Sequence, residues 1–90
     1  MKIWEQFTPE KWTQGKYARD TCGNATDIYS EIAIQWCSHA WILRIYPATH
    51  EQDMAREKLI SIIKRNITEW NDDMGTTAEE VHNAFKLADI

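Results

Sequence analysis

The sequence SEIAIQWCSHAWILRIYP, at residues 30–47, predicts a helix at the centre of the fold. Ser30 can cap a helix of about four turns over residues 31–46, and Pro47 would end it. The stretch is largely apolar, and its polar residues form a narrow stripe at spacings of three and four: Glu31, Gln35, Ser38 and His39. A helix that is apolar on nearly every side lies inside a fold. We therefore expect the other elements to pack around residues 31–46.

Two further helices are predicted after this stretch. Thr49 caps a helix over about residues 50–67, and a loop follows at residues 70–75. The inward-facing residues of the first helix are expected to be Met54, Ala55, Leu59, Ile60, Ile62, Ile63 and Ile67. Thr77 and Glu80 form a capping box for a last helix, which has a single apolar stripe: Val81, Ala84, Phe85 and Ala88.

The residues before the central stretch predict less regular structure. Thr8 and Pro9 mark the start of a short helix. Turn residues at positions 20–24 favour a small β-hairpin over residues 16–28. The predicted fold class is mainly α with a small β-hairpin, in one compact domain of three to four helices over residues 1–90.

The composition excludes several classes of protein. Apolar residues make up 43% of the chain and charged residues 27%, which is ordinary for a globular domain and excludes disorder as the main state. No apolar run approaches the roughly 18 residues that a membrane span needs. The net charge of −4 argues against direct nucleic-acid binding, which needs a basic surface. Residues 1–6 lack the apolar core of a signal peptide, so we expect a cytoplasmic protein.

Five tryptophans in 90 residues are the unusual feature of the composition. Tryptophan carries a large apolar area, and several of them help a small core to reach stability. Tryptophan is also enriched where proteins bind one another. Core packing is one interpretation; the other is that one or two, with Trp4 and Trp41 as the candidates, are exposed interface anchors.

Three segments resemble a known family when they are read together. They are WTQGKYARD at residues 12–20 with Gly23, Trp36-Cys37, and Trp70-Asn71-Asp72 followed by Thr77 and Val81. In this order they resemble a family of small proteins from actinobacteria and tailed phages that is known only as a domain of unknown function. The resemblance covers about residues 8–88, and it implies a small, mainly helical domain with no established activity. His39 and Trp41 depart from the small residues that the family usually carries after Trp-Cys.

Polar residues within these segments are the candidate binding site. Gln14, Arg19 and Asp20 lie in one predicted loop region, and Trp70, Asn71 and Asp72 lie in another. Loops carry function more often than packed helices. In the structural alternative, Arg19 and Asp20 form a salt bridge, Trp70 anchors its loop, and Asn71 and Asp72 bond to the backbone as turn formers.

Cys37 is the candidate nucleophile, although the sequence favours a structural role. A catalytic thiol needs a nearby base and a lowered pKa, and Cys37 has apolar neighbours. His39 lies two positions along the predicted helix and points away. No pair of Cys or His residues has the spacing of a standard zinc site, so we expect no metal and no cofactor.

The sequence predicts a small acidic accessory protein that is not an enzyme and that acts by binding another protein. A phage-encoded modulator or inhibitor of a host protein, working in the host cytoplasm, is one form of this hypothesis. Formation of a homodimer is another alternative, because symmetric dimers are the commonest oligomers. The alternative is a small-ligand or nucleotide-binding module in which Gln14, Arg19, Asp20 and residues 70–72 converge on one pocket.

Overall fold

The computed structural model describes all 90 residues, in a mainly helical arrangement with a small sheet. The helices are α1 (Ile3–Gln6), α2 (Ser38–Ile45), α3 (Thr49–Ile63), α4 (Ile67–Asp72) and α5 (Ala78–Ala88). A single 3-10 turn spans Pro9–Lys11, and the strands are β1 (Ala18–Arg19) and β2 (Gln35–Trp36). The predicted fold class is thus confirmed. None of the helices combines the length and the apolar character needed to cross a bilayer.

The core lies between α2, α3 and α5. Helix α3 packs against α5, α2 and α4, while α1 packs against α5 and α2. The side chains with the lowest exposure come from all of these helices, and Trp41, Leu59 and Phe85 are among them. Helix α5 carries the predicted stripe, because Val81, Ala84, Phe85 and Ala88 are all buried. Its predicted cap is also present: Thr77 Oγ1 accepts from the backbone N–H of Glu80 at 3.2 Å.

The predicted helix over residues 31–46 is wrong in its first half. Residues 30–33 form a turn, Gln35–Trp36 form β2, and the helix begins only at Ser38. Ile32, Ile34 and Trp36 alternate with other residues, which is the period of a strand rather than of a helix. Cys37 then takes the N-cap position, where its Sγ accepts from the backbone N–H of Ala40 at 3.4 Å.

The small sheet joins distant parts of the chain. Strand β1 pairs with β2 in antiparallel fashion, with Ala18 opposite Trp36 and Arg19 opposite Gln35. On its other side Arg19 forms a single antiparallel bridge to Ala25, which closes the predicted hairpin region. A parallel bridge between Trp12 and Trp36 places the segment before β1 along the other side of β2.

The predicted helix over residues 50–67 and the loop after it are also different in the structure. Helix α3 ends at Ile63, and Lys64 adopts a left-handed conformation with φ of 59°. Asn66 then caps α4, because its Oδ1 accepts from the backbone N–H of Glu69 at 3.0 Å. Residues 70–72 are consequently the last turn of α4 rather than a loop. Three residues expected to face inward are exposed: Met54, Ile60 and Ile62.

Trp41 is not an exposed interface anchor. Its side chain is 1% exposed, and its ring packs against Phe7 and Trp36 at centroid distances of 5.7 and 5.5 Å. The indole N–H donates to the carbonyl of Lys11 at 3.2 Å. Trp41 is buried because α2 is the central helix and turns this side chain inward. Trp4, the other candidate, is half-buried and packs against the core.

Candidate functional site

The motif segments meet at the side chain of Asn71, which is 1% exposed. Its Oδ1 accepts hydrogen bonds from the indole N–H of Trp12 at 2.7 Å and from both the backbone N–H and the hydroxyl of Ser38, at 2.9 and 2.6 Å. Its Nδ2 donates to the carbonyl of Thr13 at 3.1 Å and to Asp72 Oδ1 at 2.9 Å. The amide can take only this orientation, because reversing it would turn Nδ2 toward three donors.

Gln14 closes the end of α4. Its Nε2 donates to the carbonyls of Asn71 and Asp73, each at 2.9 Å. Carbonyls in the last turn of a helix have no partner within the helix, so a side chain from elsewhere satisfies them. Beside this contact, Asp72 Oδ1 accepts from the backbone N–H of Gly15 at 2.9 Å. Gly15 has a φ of +81°, a conformation that favours glycine.

Arg19 and Asp20 hold the neighbouring turn, and no salt bridge joins them. The Arg19 guanidinium donates to Thr13 Oγ1 at 2.8 Å, to the carbonyl of Gly23 at 2.8 Å and to the carbonyl of Gln14 at 3.1 Å. Asp20 Oδ1 accepts from the backbone N–H groups of Cys22 and Asn24. Asp20 is therefore a turn former.

The structure brings the candidate residues together, but mainly as partners of one another. Gln14, Arg19, Asn71 and Asp72 belong to one hydrogen-bonded cluster, while Asp20 stabilises the adjacent turn and Trp70 is buried at 8% exposure. Trp12, Thr13 and Ser38 complete the cluster and were not among the predicted site residues. The sequence nevertheless points to these three residues, because Trp12 and Thr13 open the first motif and Ser38 directly follows Trp36-Cys37. A ligand-binding role for the six candidates stays a prediction.

A cleft of about 380 Å³ lies against this cluster. It is lined by residues 15–18, 25–26 and 71–72, together with Cys37 and Thr68. This volume falls in the range of small-molecule sites. Two of the predicted site residues, Asn71 and Asp72, are therefore wall residues of one concave surface.

Cys37 lines the cleft, and its thiol is hydrogen-bonded to backbone N–H groups rather than to a side chain that could act as a base. Burial raises the pKa of the Cys37 thiol, although the backbone N–H groups of Ala40 and His39 act in the opposite direction. The His39 ring contacts Arg56 instead, with 3.4 Å between Nε2 and Nη1. Burial and the Arg56 charge lower the pKa of His39. No group of three or more His, Cys, Asp or Glu side chains is arranged to hold a metal ion.

A family model described as a family of unknown function (DUF6197) matches residues 6–89. The chain therefore belongs to this family, and the resemblance to a domain of unknown function is confirmed. No curated protein and no solved structure matches the chain. The actinobacterial and phage distribution of the family stays a prediction.

We expect Asn71→Ala to lower the free energy of unfolding by about 3 kcal/mol, because it leaves several buried donors and a carbonyl without partners. Asn83→Ala is the matched control, since Asn83 is exposed on α5 and should change stability by less than about 0.5 kcal/mol. Urea unfolding followed by circular dichroism measures both. Equal stabilities for the two variants would contradict a structural role for the cluster.

We expect the thiol of Cys37 to react with Ellman's reagent at least about tenfold more slowly than that of the exposed Cys22 at neutral pH. Cys22→Ser and Cys37→Ser each leave one thiol to measure. Because burial raises the Cys37 pKa, its rate should keep rising with pH above the ordinary thiol pKa of about 8.5. Fast reaction of Cys37 at pH 7 would instead restore the nucleophile hypothesis.

Proposed function

We propose that this member of DUF6197 is a non-enzymatic protein that acts by binding another protein through residues 27–34, here called the apolar loop. The observation that carries the proposal is the exposure of three large apolar side chains within six positions. Tyr29 is 68% exposed, Ile32 60% and Ile34 42%. Single exposed apolar residues are ordinary, whereas several on one short segment are typical of an interaction surface.

The backbone of the apolar loop is fixed by its own hydrogen bonds. Asp27 Oδ1 accepts from the backbone N–H of Tyr29 at 2.8 Å, and the carbonyl of Asp27 accepts from Ser30 at 3.1 Å. A second turn follows, in which the carbonyl of Ser30 accepts from the backbone N–H of Ala33 at 3.2 Å. A surface held in one conformation loses less entropy when a partner binds, which favours affinity.

The core anchors the loop at both ends. The indole N–H of Trp36 donates to the carbonyl of Ile28 at 3.1 Å, and β2 begins immediately after Ile34. Burying one large aliphatic or aromatic side chain contributes about 1.5–3 kcal/mol. Two or three such side chains on a fixed loop would therefore supply a substantial part of a binding free energy. A phage-encoded modulator of a host protein would be one form of such a protein.

A small-ligand function is the second candidate, and the cleft favours it. Residues from both motif segments, Gly15 and Asp72, meet at its wall. Thr26 and Thr68 also line the cleft, and neither of their hydroxyl groups forms a hydrogen bond within the protein. A ligand with a few polar groups would find partners there, whereas Gln14 and Arg19 already use their donors within the fold.

We expect the double variant Tyr29→Ser with Ile32→Ser to lose a protein partner that the wild type retains. Leu87→Ser is the matched control, because Leu87 is 72% exposed on α5, away from the loop in sequence. Tagged proteins are recovered from the cells that naturally produce the chain, and their partners are compared by quantitative mass spectrometry. A homodimer would appear as recovery of the untagged chain itself. Identical partners for all three proteins, or none, would contradict the proposal.

For the second candidate, we expect native mass spectrometry of protein purified from its own cells to show a small mass increment that denaturation removes. Thr68→Phe should abolish the increment by filling the cleft. Glu69→Phe should retain it, because Glu69 is the exposed neighbour that does not line the cleft. A spectrum of the wild type without an increment, or an increment unaffected by Thr68→Phe, would exclude the cleft as the ligand site.

A further inference from the structure

Arg44 has an unusual environment for an arginine of this protein. It lies in the last turn of α2 and is half-buried, yet its side chain forms no hydrogen bond and no salt bridge within the chain. Each of the other three arginines has protein acceptors: backbone carbonyls and Thr13 for Arg19, Asp53 for Arg56, and Asp73 for Arg65. Arg44 is therefore the one guanidinium whose N–H donors are free.

A cation–π contact with Trp36 holds the guanidinium in place. Its central carbon lies 3.6 Å from the ring centroid of Trp36 and 5.2 Å from that of Trp41. Both indoles are themselves fixed, because each donates its N–H to a backbone carbonyl. A guanidinium presents its N–H groups in its own plane, where they match the two oxygens of a carboxylate.

This guanidinium borders a groove that the apolar loop forms in part. The groove has a volume of about 400 Å³ and is lined by residues 28–31, Ala33, Trp36 and Arg44. Of the three exposed apolar residues of the loop, Tyr29 is the one that lines this groove. A partner covering the loop would therefore also cover a fixed cation, and burying that cation without a counter-charge would be unfavourable.

We propose that Arg44 receives a carboxylate from the protein partner, so that the groove docks a segment carrying Asp or Glu next to a large apolar side chain. This inference rests on the proposed function and names the chemistry of the partner. Glu31 lines the same groove, and the chain carries a net charge of −4, so a doubly charged phosphate or a nucleic acid would be repelled more strongly than a singly charged carboxylate. A singly charged carboxylate matches one free guanidinium.

A peptide selection tests this chemistry without knowledge of the natural partner. A random twelve-residue library is displayed and selected on the immobilised full chain, and the best peptide is synthesised with a fluorescent label. We expect the selected peptides to contain Asp or Glu beside a large apolar residue. Replacing that acid by its amide should weaken binding by about tenfold or more, since a charge-assisted hydrogen bond contributes about 1.5–3 kcal/mol.

Variants of the protein assign the effect to Arg44. Arg44→Gln should weaken binding of the acidic peptide to the same extent and should make the protein indifferent to the acid-to-amide change. Arg65→Gln is the matched control and should bind as the wild type does, because Arg65 pairs with Asp73 elsewhere on the surface. The acid-to-amide comparison on the wild-type protein needs no protein variant, so it stands even if Arg44→Gln unfolds.

The outcomes separate this inference from the proposed function. Peptides that require Tyr29 and Ile32 but bind Arg44→Gln and wild type equally would overturn the carboxylate assignment and leave the apolar loop as the binding surface. Peptides that require Arg44 but not the loop residues would retain this inference and count against the proposed surface. A phosphoserine peptide that binds more tightly than the acidic one would overturn the choice of carboxylate. Failure to select any peptide that depends on either site would overturn both.

Discussion

The buried amide of Asn71 connects three parts of the chain that share no helix with one another. Its oxygen accepts from Trp12 and from Ser38 at the start of α2, and its nitrogen donates to Thr13. A two-stranded sheet of two residues per strand has little stability by itself. Since β1 and β2 lie in the same region of the chain as these contacts, the largely non-helical region between α1 and α2 depends on a polar cluster as well as on apolar packing. Removing the amide would leave several buried groups unpaired at once.

This constraint explains why the motif residues occur together. Trp12 and Gln14 bond to Asn71 across 59 and 57 positions of sequence, respectively, so residues far apart in the chain form one structural unit. The cluster shapes the cleft wall through Asp72 and fixes α2 relative to α4. The apolar loop and the Arg44 groove lie at the other end of β2 and of α2. In this arrangement, the motif residues build most of the scaffold. The proposed partner surface is carried mainly by side chains outside the three motifs, and Trp36 is the motif residue that also lines the groove.

Much of the architecture could be predicted from local signals. Helix α5 could be predicted because its cap and its apolar stripe indicate the same helix. The turn at residues 20–24 could be predicted because Asp, Gly and Asn favour turns. The sequence does not locate the start of α2, since Ile32, Ile34 and Trp36 fit a strand whose partner β1 lies far away in sequence. The sequence could group Gln14, Arg19, Asn71 and Asp72, but their mutual hydrogen bonds follow from tertiary contacts. The free guanidinium of Arg44 could not be predicted from the sequence either, because only the fold reveals that it lacks an acceptor.

Native-state hydrogen exchange at two donors tests most directly whether the Asn71 amide holds the fold together. The donors are the backbone N–H of Ser38 and the indole N–H of Trp12, both bonded to Asn71 Oδ1. We predict that both exchange only through global unfolding, with an opening free energy equal to that of the slowest core amides of α5. Exchange of these two protons through local opening, while α5 stays protected, would contradict the central role of Asn71.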